Sequence, residues 1–346
     1  MAEQSTTYPL IEAAIRRFRL PREWTIAVIA GVLLLLLVLM AFLNGTLDSL
    51  LEWRTAWPPL SYILFPTYIL VVYPFMLRSR WQAILAFKPL LSLDDDAFNK
   101  VAENILKPSR RGEWTAVFIG ISVLGAVLFQ PWTLDWTSGY FWLSVYEVIT
   151  TTIGMGLIAW LIYDTLVGIL RISRLSRENL KLDILDTEAL APVASWSLGI
   201  SLVFVGIIIL SVISDVTETA EVMPVMQNII GYGFLICSTL LIFFLSMWTA
   251  HRAMSEAKKS KLATIRRHLS TVSGEVDELM AMDQFNGTQE LSSSITVLAT
   301  YERRVKEAPT WPFNAGIVRK LLVSILTPGV VYLIKILSQA GIRFGS

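Results

Sequence analysis

Cysteine is nearly absent: Cys237 is the only one. No disulfide can therefore form within the chain, and no cysteine-based zinc or iron–sulfur site can be built. Histidine is almost as scarce, with His251 and His268 alone, which leaves little for metal ligation or acid–base work. Charge is thin as well. Lys, Arg, Asp and Glu make up 16% of the residues, against about a quarter in an ordinary soluble domain. With 29 basic and 28 acidic residues the chain lacks the cationic excess of a nucleic-acid binder. It also lacks any nucleophile–His pair, phosphate-binding glycine loop or zinc signature, so neither an enzyme nor a cofactor is expected. A disordered chain would be polar and charged, and this one is neither.

What the chain has is apolar residues, 54% of its 346, with a mean hydropathy of +0.58. This composition predicts an all-α, polytopic membrane protein, because a bilayer admits only helices or closed barrels. About 20 mostly apolar residues are needed to cross the hydrocarbon layer. Six stretches meet that need, near 24–43, 59–77, 114–131, 141–171, 193–214 and 228–249. A seventh, 321–338, carries Pro328, Gly329 and Lys335. It is read as spanning, with a re-entrant path as the alternative. The polar lead 1–23 is followed by an apolar run with no small-residue cleavage site, so the first helix should insert itself and stay.

Charge placement orients the spans. Of the 29 basic residues, 26 fall in 1–23, 78–113, 171–190 and 250–320, leaving Arg54, Lys335 and Arg343 for the other side. The positive-inside rule then puts the N-terminus in the cytoplasm of a cell-membrane protein. The opposite loops are short and acidic, with Asp48, Glu52, Asp135, Asp215, Glu218 and Glu221. Trp24, Trp53, Trp57, Trp114, Trp132, Trp136, Trp142 and Trp311 lie near span ends, where an aromatic belt is expected.

The inner segments read as helical extensions. Ser92 with Asp94, Asp95 and Asp96 makes a helix start, favoured over a metal site because acids suit the positive end of the dipole. Phe98, Val101, Ile105 and Leu106 follow on one face. Asp183, Asp186 and Glu188 are read in the same way, as caps of the fifth span. A weak likeness between Ser79-Arg80…Leu93-Asp94 and Ser173-Arg174…Leu182-Asp183 follows from repeated helical hairpins and implies no duplication. Within 250–320, Leu262, Ile265, Leu269, Val272, Val276 and Leu279 alternate at spacings of 3 and 4, a short heptad seam. Asn286-Gly287 signals a turn. Leu291, Ile295, Leu298, Tyr301 and Val305 then line a second helix that Pro309 and Pro312 stop. The segment is predicted to be a helical hairpin. Its seam serves either packing within the chain or oligomerisation.

Ionisable groups at membrane depth are costly and tend to be functional. The fourth span holds Glu147 and Asp164, with Thr151, Gly154 and Thr165 on the same broad stripe. Such a stripe lets helices approach closely or lines a wet path. Pairing with polar neighbours is the plainer role for the two acids. Pro66 and Pro74 in the second span, and Ser324, Thr327 and Pro328 in the last, suggest kinks or freed carbonyls. Thr150-Thr151-Thr152-Ile153-Gly154-Met155-Gly156, after Trp142-Leu143-Ser144-Val145, is similar to a potassium-channel filter. Leu157 stands where that family has Asp, however, and too few apolar residues follow, so an unbroken helix is preferred. Tyr163-Asp164 is similar to half of an intramembrane aspartyl protease pair. The second half would have to be Gly231-Tyr232-Gly233-Phe234, which supplies no second carboxylate, so no acid–base dyad exists.

The whole layout resembles the insect chemoreceptor-type seven-helix channels: an inner N-terminus, inward-extended middle helices, a helical stretch between spans six and seven, and a last span. The family's Thr-Tyr…Gln-Phe ending reads here Val331-Tyr332-Leu333…Ser338-Gln339-Ala340. The resemblance implies a homotetrameric, cation-passing channel, a homo-oligomer with its subunit contacts in the cytoplasmic helices and its last span lining the pore. The residues alone leave three expectations: a channel or channel-like receptor along Glu147, Thr151, Gly154, Asp164, Thr165, Ser324 and Thr327; a secondary transporter using one of the carboxylates; or a non-conducting sensor with a cytoplasmic partner.

Overall fold

The computed structural model describes residues 9–91, 94–107, 109–124, 140–175, 191–217, 225–281, 285–311, 316, 319–320 and 322–330. Every element among them is helical. A short amphipathic helix α1 (Leu10–Arg17) precedes α2 (Arg22–Leu43), α3 (Trp53–Ala86), α4 (Asp95–Leu106) and α5 (Arg110–Ile119), which loosens into a π-turn at Gly120–Leu124. Next come α6 (Phe141–Leu175), α7 (Ala191–Thr217), α8 (Val225–Ala281) and α9 (Phe285–Glu307). A last helical stretch, α10, lies at 322–330.

Five helices, α2, α3, α6, α7 and α8, are long and apolar enough to cross a membrane. Their outer faces are what lipid requires: Leu35 is 69% exposed and Phe42 64%, a surface too apolar for water. The third predicted span is described only to Leu124 and the seventh only over 322–330. Ser92, Trp132, Trp136, Asp135, Asp183, Asp186, Glu188, Glu218, Glu221, 282–284 and everything from Val331 on lie outside the described residues.

Helix ends follow local chemistry. α2 stops at Asn44, and Gly45 takes the left-handed conformation (φ 69°). This lets the Thr46 amide reach Ala41 O and the Gly45 amide reach Phe42 O, closing the orphan carbonyls. Ser109 caps α5 through its side chain. Asp94 stands at the N-cap of α4 with Asp95 and Asp96 in its first turn, and Asp95 pairs with Lys88 at 3.0 Å.

Helix α3 is the hub, packing on α2, α6 and α7. It runs nine residues past the apolar stretch at 59–77, because its buried stripe does not end there: Ile69, Tyr73, Met76, Arg80, Ile84 and Phe87 continue at helical spacing. Small residues set the closest crossings. A side chain at Gly206 would run into Tyr68 of α3, whose hydroxyl donates to Val203 O at 3.0 Å. At Gly120, where α5 meets α6, a Cβ would sit 2.8 Å from Met155 O.

Helix α8 continues without a break from the bundle into a long stalk, and α9 folds back along it. Leu262 and Ile265 meet Tyr301, Val305 and Ala308. Leu269, Val272 and Val276 are half-buried, as are Leu291, Ile295 and Leu298. α9 already begins at Phe285, so Asn286-Gly287 sits in its first turn and the reversal comes earlier than that signal implies. Lys258 closes the end of α9 by donating to Lys306 O (2.6 Å) and Ala308 O (2.7 Å). Lys306 and Arg266 hydrogen-bond Glu302 and hold its carboxyl below the usual carboxylate range.

A depressed folded-state pKa contributes stability above the unfolded value, about 4.3 for glutamate, and loses it as pH falls through the folded value. Glu302→Gln should therefore lower the hairpin's thermal midpoint at neutral pH. The difference from wild type, followed by circular dichroism, should close as the pH is taken below that of an ordinary carboxylate. A gap that stays constant with pH would assign Glu302 no electrostatic role.

Candidate functional site

The acids of α6 mark two polar levels of the bundle, while Ser197 of α7 and Ser246 of α8 hydrogen-bond elsewhere in it. Glu147 and Asp164 are 17 positions apart, about 25 Å along a helix.

At the first level the Tyr62 hydroxyl of α3 donates to Glu147 Oε1 at 2.7 Å. Tyr146 donates to Pro59 O at 3.2 Å, and the Trp142 amide to Asn44 Oδ1 at 3.0 Å, so α2, α3 and α6 are tied together at this end. Thr151, one turn on from Glu147, has a buried hydroxyl without a hydrogen-bond partner. Gly154 is buried, with open space where a side chain would stand.

At the second level Arg80 of α3 meets Asp164 of α6. The guanidinium donates from Nη2 to Oδ2 at 2.7 Å, from Nη1 to Oδ1 at 3.3 Å, and from Nη2 to the Asp164 carbonyl at 3.2 Å. The two side chains are 5% and 11% exposed. This is a fork-to-fork pair, the geometry in which arginine best neutralises a carboxylate. Gly168, one turn beyond Asp164, makes the room: a Cβ there would stand 2.9 Å from Arg80 Cζ and Nε. Thr165 is fully buried beside the pair, its hydroxyl unpartnered.

A third carboxylate, Glu113 at the start of α5, is 1% exposed. Its Oε1 accepts from the Leu10 amide of α1 (3.0 Å) and from Trp160 Nε1 (3.3 Å), while Arg110 stands 4.0 Å from Oε2. α1 is further tied by Glu12 to Arg22 at 3.0 Å, and Arg22 also donates to Leu70 O. The amphipathic N-terminal helix is thus tied to α5 through Glu113 and to α2 through Arg22.

Between the two levels the packing is mostly apolar, with the Tyr73 hydroxyl buried and unpartnered. Ile158, Trp160 and Leu161 are buried, and the Tyr73 ring lies 4.8 Å from that of Trp160. Helix α6 runs unbroken through 150–156 and holds no filter-like loop. Ser324 and Thr327 bond back to Lys320 O and Val323 O, each four residues earlier, and Ile325 beside them packs on α7 and α8. They do not join the α6 stripe. Among the described residues no group of three metal-ligating side chains comes together. No family model, curated protein or solved structure matches the chain. Its function is read from these residues alone.

The spacing argument finds Glu147 and Asp164 but not their partners. Arg80 was assigned to an inner loop because the apolar run ends at Leu77. Extending the buried stripe of α3 by one turn would have placed it in the bundle. Glu113 carries no such signal, and Tyr62 stands out only as a polar residue of the second span beside Pro66 and Pro74, since these contacts join distant parts of the chain.

Removing one member of a buried pair leaves a lone charge and costs about 3–5 kcal/mol, whereas replacing both with apolar residues is often neutral. Arg80→Met and Asp164→Leu should each lower unfolding stability by that amount in a reversible unfolding assay, and the double variant should recover most of it. Gly168→Ala should also destabilise, by about 1–3 kcal/mol, as expected for overpacking. Additive losses in the double variant would show that the two side chains act separately.

Proposed function

We propose that the chain is a multi-pass protein of the cell membrane with seven spans and a cytoplasmic N-terminus, and that it passes cations in the manner of a gated channel. One observation carries this reading. Glu147, in a candidate span, is held by the Tyr62 hydroxyl and, among the described residues, by no cation. A carboxylate kept at membrane depth without a counter-charge is a place for a cation or a proton. Glu147 would draw cations in at the outer end, with Thr151 offering its hydroxyl. The Arg80–Asp164 pair would close the inner end, and the Ile158–Trp160–Leu161 layer between them would act as an apolar constriction.

That same layer favours a second reading. A carrier must never open to both sides at once, and a mostly apolar partition between two carboxylates suits a secondary transporter that uses Glu147 as its proton or ion carrier. A homo-oligomer would form through surfaces other than the heptad seam, because α9 of the same chain occupies that seam at Leu262 and Ile265.

Ion flux into liposomes bearing the purified chain separates these readings. A channel gives passive cation flux that drops severalfold with Glu147→Gln and rises with Arg80→Gln, which breaks the inner pair and leaves Asp164 without its counter-charge. A carrier gives saturable uptake coupled to a gradient, and Glu147→Gln abolishes it. Liposomes that stay tight with wild type and with Arg80→Gln would overturn both readings and leave a sensor.

A further inference from the structure

The charges of the α8–α9 hairpin are sorted by height. Its base, 252–267 with 302–307, holds nine Lys/Arg and three acids. Its tip, 268–301, holds no Lys or Arg and five acids. Solubility calls for no such sorting, since mixed charges serve it as well. The helix dipole accounts for part of it only: Arg303, Arg304 and Lys306 lie in the last turns of α9, where cations are favoured. The basic residues of α8 are in mid-helix and gain nothing from either end.

The base also stands at a marked height. Trp248, 61% exposed, ends the apolar part of α8. One turn on, His251 stacks on Trp311 with ring centroids 4.2 Å apart, and its Nδ1 lies 2.9 Å from Thr310 O. Aromatic groups of this kind settle at the headgroup level of a bilayer. Arg252, Lys259 and Lys261 follow within about 20 Å of Trp248 along the helix. Arg252, Lys259 and Arg266 recur every seven residues, so they share one face of the stalk. Acids do not cancel the set. Glu256 takes Arg252, Glu302 takes Arg266 and Lys306, and Glu307 takes Arg303. Lys259, Lys261 and Arg304 are exposed and have no acidic partner among the described residues.

We propose that the base of this hairpin is a binding surface for anionic lipid headgroups of the leaflet from which α8 emerges. Lys259, Lys261 and Arg304 supply the contacts, and the acidic tip is repelled from the same surface and so kept upright. The proposal needs α8 to cross a membrane but is independent of what the protein transports.

The full chain, placed in nanodiscs of phosphatidylcholine alone or of equal parts phosphatidylcholine and phosphatidylglycerol, provides the test. Amide hydrogen exchange is read at 252–267, at 303–307 and at the tip. Anionic lipid should slow exchange at the base at least about fivefold, the attraction of a single basic residue near such a surface. High salt should remove the effect, and the tip should not change. Lys259→Gln/Lys261→Gln/Arg304→Gln, all at exposed positions, should exchange alike in both lipids while keeping the flux of wild type. Equal exchange of wild type in the two lipids would overturn the proposal. So would protection that survives the triple substitution, or protection that follows the number of chains per disc and not the lipid, which would make the occupant a second copy.

Discussion

A guanidinium and a carboxylate buried together inside a helix bundle bind the arrangement around them, because neither tolerates the loss of the other. Taking two ions out of water is so costly that only close, well-satisfied geometry returns the loss. The fork between Arg80 and Asp164 meets that demand, and it fixes the register of α3 against α6. Sliding one helix by a turn would leave two unpaired charges in an apolar interior. Gly168 follows from the same demand, since the guanidinium lies where its side chain would be. Apolar packing alone would tolerate other registers, because one aliphatic surface fits another nearly as well. The ion pair therefore gives specificity where the hydrophobic layer gives attraction.

From this hub the other polar contacts follow in order. Trp160 lies one turn before Asp164 and turns its indole N–H to Glu113, which brings in α5. Glu113 in turn accepts the first free amide of α1, which has no partner within its own helix. The N-terminal helix is thereby secured through its first turn, by the Leu10 amide and by Glu12, which pairs with Arg22. Each link is a buried or half-buried polar group meeting the need of the next. This is how a helix bundle with no disulfide holds a single arrangement.

Legibility in the sequence divided along a physical line. Anything set by composition over a long window could be read: the all-helical class, the apolar helices and the two acids of α6. Periodicity carried the hairpin as well, since Leu262 and Ile265 face α9 as their spacing implies. Whether that seam faced its own chain or another was beyond it, because a heptad pattern names an apolar face and no partner. Hydropathy also cut α3 short at Leu77, since a window average falls where Arg78 and Arg80 enter. The helix continues because backbone hydrogen bonding is indifferent to the charge of a side chain that finds a partner. Contacts such as Tyr62 with Glu147, 85 residues apart, are decided by how helices meet. No local pattern records that.

The two carboxylates of α6 show what such encounters add. Read on one helix, Glu147 and Asp164 look equivalent: an acid near each end of the same stripe. In the bundle they are opposites. Asp164 has its charge met by Arg80 and accepts at both oxygens, so it can act on an ion only after the pair parts. Glu147 faces a hydroxyl, which stabilises either protonation state without fixing one, and so stays open to a cation or a proton. The difference lies wholly in the neighbouring helix α3, which offers a tyrosine at one height and an arginine at the other. Any role that uses both acids must therefore treat them unequally, since a guanidinium neutralises one and a hydroxyl holds the other.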